Sequence, residues 1–119
     1  MTFLIADDNA RMRESVIRFL SRNIPNHHTF YEAAEGSKAV KLYDQHSPDW
    51  VLMDIEMEPM DGLTALKDIR VSHPGAKIII LTSYDDIRYR KKAQEAGALA
   101  YVLKTHIDEL ESLIFSKSN

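Results

Sequence analysis

Asp7 and Asp8, Asp54, Thr82 and Lys104 each stand directly after an apolar, β-prone run of the chain. In an open parallel α/β sheet, sites form beyond the carboxyl ends of the strands, so three carboxylates, a hydroxyl and an ammonium would converge on one edge. Carboxylates brought together repel by about 4 kcal/mol per pair near ~4 Å at an effective dielectric of about 20, unless a proton or cation intervenes. An all-oxygen ligand set without His or Cys suits Mg²⁺, with Mn²⁺ as the alternative. Asp54 is then the natural nucleophile. Its carboxylate can attack phosphorus in line and hold the group as an aspartyl phosphate, while the metal and Lys104 balance charge on the transferring oxygens. Thr82 would hydrogen-bond the product phosphoryl group.

The segments that must carry these residues alternate in type. Phe3 to Ala6, Phe30 to Ala34, Trp50 to Met53, Ile78 to Leu81 and Leu99 to Leu103 read as buried strands. Between them lie stretches with helical spacing: Met12, Val16, Phe19 and Leu20; Val40, Leu42 and Tyr43; Leu63, Leu66 and Ile69. Five β-α repeats imply a parallel sheet covered by helices on both faces, because parallel neighbours need a crossover. Near-continuous apolar strands such as Ile78-Ile79-Ile80-Leu81 fit burial on both sides. Pro25, Gly36, Pro48, Pro74-Gly75 and Gly97 punctuate the boundaries.

A chain of 119 residues suits one domain, expected over residues 1–116, with 117–119 as a tail or the start of a linker. The net charge of -3 supplies no general attraction to nucleic acid or anionic membrane, so neither is expected to bind this segment. Cysteine is absent, which excludes disulfides and thiolate metal sites and is compatible with the expected cytoplasmic location. The N-terminus has too short an apolar stretch for a signal peptide, and no run approaches transmembrane length.

The ordered set Ile5-Ala6-Asp7-Asp8, Met53-Asp54-Ile55, Met60-Asp61-Gly62, Leu81-Thr82-Ser83 and Tyr101-Val102-Leu103-Lys104 resembles the receiver domains of two-component response regulators. The Lys104-Thr105 junction, lacking proline, is similar to that of regulators with helix-turn-helix output domains, and the resemblance covers nearly the whole chain. It implies a flavodoxin-like (βα)5 three-layer sandwich whose five-stranded parallel sheet has the order 2-1-3-4-5. It implies a metal held by Asp7, Asp8, Asp54 and the backbone carbonyl of Glu56, and phosphorylation of Asp54 by a histidine kinase or phosphotransfer protein. Lys104 would contact the phosphate, Thr82 would be the switch hydroxyl, and Tyr101 the aromatic partner that turns inward when the hydroxyl moves. The domain would be regulatory rather than an enzyme, catalysing only its own phosphorylation and dephosphorylation. An output domain or target protein, and a phosphorylation-dependent homodimer, remain open.

Departures from the family pattern sit around Asp54. Thr105 follows Lys104 where many members have a cis-proline, which leaves the isomer of that peptide open, and Pro59 stands one residue later than usual. The resemblance also places Glu56 and Tyr84 at the two variable positions that flank the route of water to the phosphoryl group in this family, where their charge and bulk would slow its loss. Ile17 falls off the Met12-Val16-Phe19 stripe, on a flank expected to be exposed, and is the expected contact for the kinase or phosphotransfer partner.

Plainer readings compete at single residues. Asp7-Asp8 could serve only as a helix start, while Asp61 and the Asp85-Asp86 pair read as helix-start residues outside the site. A phosphatase with an aspartyl-phosphate intermediate would need Asp where Glu56 stands. A flavodoxin-type cofactor site would need a hydroxyl-rich loop after the first strand, where Asp7-Asp8 would repel phosphate.

Overall fold

The computed structural model describes residues 1–117. Five strands, β1 (Thr2–Ala6), β2 (Thr29–Ala33), β3 (Trp50–Met53), β4 (Ile78–Thr82) and β5 (Ala100–Leu103), alternate with α1 (Ala10–Asn23), α2 (Gly36–His46), α3 (Gly62–Ser72), α4 (Ile87–Glu95) and α5 (Glu109–Lys117). The strands form one parallel sheet in the order β2-β1-β3-β4-β5. This is the expected flavodoxin-like arrangement. Helix α5 continues through Lys117, and the last two residues of the expected tail lie outside the described residues.

Alternation along the strands divides the core in two. Leu4, Ala6, Val51, Met53, Ile78 and Ile80 face Ala39 and Tyr43 of α2, Leu66 and Ile69 of α3, and Ala93 of α4. Phe3, Ile5, Trp50, Leu52, Ile79, Leu81 and Val102 face Val16 and Leu20 of α1 and Leu110 and Ile114 of α5. β3 and β4 are buried at every residue, as the apolar runs Trp50 to Met53 and Ile78 to Leu81 require, and in β4 the burial extends to Thr82. The edge strand β2 is covered less, and it begins and ends one residue earlier than its sequence suggested.

The sheet order reverses at β1, whose neighbours β2 and β3 leave in opposite directions. The carboxyl ends of β1 and β3 therefore border the crevice where α/β sheets hold ligands. Two close backbone approaches shape the loop that follows β3. A Cβ at Gly62 would lie 1.8 Å from the Asp54 carbonyl oxygen, and one at Gly36 would lie 2.6 Å from that of Met60. Gly36 N–H donates to Met60 O at 2.9 Å and Gly62 N–H to Ile55 O at 2.9 Å, so glycine permits the contacts that seat residues 54–61.

Candidate functional site

Hydrogen bonding of β1 and β3 runs one residue past each strand. Asp7 N–H donates to Ala33 O at 3.0 Å, and Asp54 N–H donates to Ala6 O at 2.9 Å. The Asp7 and Asp54 carboxylates therefore emerge together at the crevice, each residue 4% exposed, while Asp8 is exposed. Capping of α1 falls to Asn9, whose side-chain oxygen accepts Arg11 N–H at 2.9 Å and Met12 N–H at 3.2 Å. Asp7 and Asp8 are thus not the helix cap. Asp7 Oδ1 instead accepts Asn9 N–H at 2.9 Å.

Lys104, at the end of β5, reaches across to both buried acids. Its Nζ lies 2.8 Å from Asp7 Oδ2 and 3.1 Å from Asp54 Oδ2. Burial pushes the Asp54 carboxyl above its usual value, opposed by the Lys104 charge and reinforced by Asp7. Burial works against the charge on Lys104, yet its bond to Asp7 and the charges of both acids together hold it above the usual lysine value. The ammonium is therefore retained at neutral pH. The Lys104–Thr105 peptide is trans, the cis peptide among the described residues being Glu58–Pro59.

The donor set fits a hard divalent cation. One carboxylate oxygen from each of Asp7, Asp8 and Asp54 lies within 4.8 Å of the others. Opposite ligands around Mg²⁺ at about 2.1 Å are roughly 4.2 Å apart, so modest adjustment would bring these three oxygens into one coordination sphere. Glu56 N–H donates to the Asp54 carboxylate, which brings the Glu56 peptide to the same place.

Thr82, fully buried at the end of β4, accepts Tyr84 N–H on its hydroxyl oxygen at 3.3 Å. Tyr101 on β5 is half-buried and faces the α4 side. Its phenol donates to the Tyr84 carbonyl oxygen at 2.5 Å, and the Arg90 guanidinium lies 4.6 Å from its ring centre. Tyr84 in turn hydrogen-bonds the Glu56 carboxylate, which pushes the Tyr84 phenol up to about 12. Asp61 and Asp86 act as helix caps, as their sequence positions suggested: Asp61 accepts Thr64 N–H at 2.8 Å and Asp86 accepts Arg88 N–H at 2.8 Å. The Arg88 bond to Asp86 holds that carboxyl down to about 2.

A family profile described as "Response regulator receiver domain" matches residues 3–115. The chain belongs to the response regulator receiver domain family. It is 42% identical over 102 residues to the transcriptional regulatory protein LiaR of Bacillus subtilis (strain 168), which covers 86% of this chain and 48% of that protein. The receiver domain spans about half the length of the curated relatives it matches. A two-component response regulator of the LuxR family from Aurantimonas sp. SI85-9A1 superposes with a TM-score of 0.90 at 33% identity, over 97% of this chain and 82% of that one. A chain from the CheX-CheY-BeF3-Mg²⁺ complex of Borrelia burgdorferi gives a TM-score of 0.84 at 26% identity, over 98% of this chain and 87% of that one.

Within this receiver domain, Ile17 departs from its expected setting. It is half-buried and packs against the core beneath α1 and α5, so its apolar side chain has a structural duty. The reason is that Ile17 lies one helical turn after Arg13, whose Nε reaches Glu32 of β2, so its flank of α1 turns toward the edge strand and widens the covered side beyond the Val16-Leu20 stripe. Arg13 and Glu32 escaped the sequence reading. Arg13 Nη1 donates to Asp7 O at 2.7 Å, and its Nε donates to Glu32 Oε1 at 2.9 Å. The available signal was a cation in the first turn of α1, a position that the helix dipole disfavours. Among the described residues no helix is long and apolar enough to cross a membrane.

Proposed function

We propose that this receiver domain accepts a phosphoryl group on Asp54 from a phosphohistidine of a histidine kinase or phosphotransfer protein. An Asp54 carboxylate oxygen attacks phosphorus as the P–N bond of the donor breaks, and the imidazole leaves with a proton. The observation that carries this reading is the Asp54 carboxylate, buried at the crevice, clustered with Asp7 and Asp8, and bonded to Lys104 at 3.1 Å.

Mg²⁺ held by Asp7, Asp8, Asp54 and the Glu56 carbonyl would supply charge neutralisation for the phosphoryl oxygens. Mn²⁺ has the same preference for oxygen ligands. A similar chain solved in a complex containing BeF3 and Mg²⁺ supports that choice. Lys104, bonded to both Asp7 and Asp54, contributes a fixed positive charge beside the nucleophile, which favours transfer because negative charge grows on the equatorial oxygens. Thr82 then donates its hydroxyl to the bound phosphoryl group. Its move releases Tyr84 N–H and permits Tyr101 to turn inward, biasing the surface of α4, β5 and α5 between two states. The chemistry is confined to the domain's own phosphorylation and dephosphorylation.

Relatives named as transcriptional regulators support an output domain with a DNA-directed role, for which phosphorylation-dependent dimerisation is a compatible readout. Ile17 retains its place as a kinase or phosphotransfer contact through its exposed part. Ile17→Glu should slow transfer from the protein donor while sparing small-molecule donors, provided its unfolding midpoint stays close to wild type.

The central test incubates the protein with Mg²⁺ and acetyl phosphate or phosphoramidate. An acid-stable, base-labile mass gain is expected, abolished by Asp54→Asn and by chelation. A gain that survives in Asp54→Asn, or none in the wild type, would refute the reading.

A further inference from the structure

Arg13 sits in the first turn of α1, where the dipole opposes a cation, yet its side chain is only 16% exposed and makes two bonds outside its own helix. Nη1 donates to the main-chain carbonyl of Asp7 at 2.7 Å, and Nε donates to Glu32 at 2.9 Å. These bonds join three separate pieces: the turn that carries Asp7 and Asp8, the helix that follows it, and the edge strand β2.

The Asp7 peptide is the point where β1 gives way to α1. Its N–H is held by Ala33 at the end of β2, while its carbonyl lies past the last ladder bond of β1 and takes the Arg13 hydrogen bond. A buried carbonyl without a donor is costly, and a planar guanidinium supplies a charge-assisted bond with a fixed direction. β2 thus grips both main-chain groups of one residue, directly through Ala33 and indirectly through Glu32 and Arg13.

We propose that Arg13, anchored by Glu32, is a positioning residue that fixes the Asp7-Asp8 turn so that both carboxylates present to a divalent cation. The inference rests on the metal-site reading above. The guanidinium binds the Asp7 carbonyl rather than its carboxylate, so it orients the ligand without occupying the lone pairs that a cation would use. Glu32 holds Nε and thereby aims Nη1 at the carbonyl. Without that anchor, Arg13 can swing to the exposed Asp8 carboxylate and compete with the cation.

Charge alone predicts the opposite sign, which makes the inference testable. Removing a positive charge beside three carboxylates should tighten cation binding, whereas loss of an outer-shell partner weakens it by about 10- to 100-fold. Calorimetric titration with Mg²⁺ would compare wild type, Arg13→Met, Arg13→Lys and Asp54→Asn. Thermal unfolding and amide exchange at Asp8 and Asn9 would be measured on each metal-free protein. Arg13→Met should bind Mg²⁺ about tenfold more weakly and exchange those amides faster, and Arg13→Lys should recover part of both.

Unchanged or tighter binding by Arg13→Met overturns the inference. If Arg13→Met does not fold, Glu32→Gln decides, because it keeps Arg13: faster exchange at Asp8 and Asn9 supports the anchor, and unchanged exchange overturns it. Failure of the underlying reading looks different. There the wild type would bind no Mg²⁺, or would bind it as well after Asp54→Asn.

Discussion

The phenol of Tyr101 donates to the main-chain carbonyl of Tyr84 at 2.5 Å. The N–H of the same Tyr84 donates to the Thr82 hydroxyl oxygen at 3.3 Å. The two residues proposed as switch partners therefore hold opposite sides of one residue, and Thr82 cannot turn toward Asp54 without releasing the segment that Tyr101 grips. Tyr101→Phe removes only the phenol bond and keeps the ring beneath Arg90. We expect it to lower stability by about 0.5–1.5 kcal/mol, the usual net value of one hydrogen bond. Faster amide exchange at Asp85 should accompany this, with no change in the rate of phosphorylation by acetyl phosphate. A slowed phosphorylation rate would mean that Tyr101 acts on the chemistry rather than on the segment after Thr82.

Burial dominates the Asp54 carboxyl and outweighs the pull of Lys104, so its ionisation costs folding stability. A carboxyl raised in the folded state contributes stability below its unfolded value, and that contribution is lost as pH rises through the folded value. Asp54→Asn should therefore be more stable than wild type at neutral pH without metal, by on the order of 1 kcal/mol. The gap should close as pH falls below the ordinary value of 3.8, where both side chains are neutral. Mg²⁺ should reverse the order, since a ligand that binds only the folded state stabilises it and Asp54→Asn loses a ligand oxygen. Urea titrations at several pH values, with and without Mg²⁺, check both signs.

Gly62 carries α3 directly over the Asp54 peptide. A Cβ there would lie 1.8 Å from the Asp54 carbonyl oxygen, a clash with main chain that no rotamer relieves. Gly62→Ala should cost about 1–3 kcal/mol or more through overpacking, and should slow phosphorylation because Asp54 must move. Gly75→Ala is the control, with nothing within 4 Å of the added carbon. It should leave stability unchanged or raise it by about 0.4–1 kcal/mol through the unfolded chain. Equal effects of the two substitutions would show that the Gly62 contact is not what seats Asp54.

The sequence displays most of this site because its members follow apolar runs that can only be buried strands. Trp50–Met53 has the same bounds in sequence and structure, and Asp54 follows from it. β2 is less legible, since an edge strand with exposed and half-buried residues has no strong alternation to mark its ends. Ile17 defeats a reading based on one helix alone, because its flank of α1 turns toward the edge strand β2, which Arg13 reaches one turn earlier through Glu32. Arg13 and Glu32 are 19 residues apart, and each by itself looks like an ordinary solvated charge. Their pairing is a product of the fold, and local pattern does not encode it.

Tyr84 and Glu56 present the same kind of long-range pairing at the mouth of the site. Together with Asp8 they line a groove of about 630 Å³ beside the loop that follows Asp54. The bond to Glu56 pushes the Tyr84 phenol up to about 12, so it stays a neutral donor across physiological pH. On the proposed function, water attacking a phosphoryl group on Asp54 would approach through this mouth, against the bulk of the ring and the charge of the carboxylate. Removing both, in Glu56→Asn/Tyr84→Ala, should shorten the lifetime of the phosphorylated form. A barrier lower by about 1.4 kcal/mol corresponds to roughly tenfold faster loss. Tyr84→Phe keeps the bulk and loses the bond, so it should fall between the double variant and wild type. Phosphate release measured after removal of the donor distinguishes these cases, and an unchanged or slower rate in the double variant would exclude a shielding role for the pair.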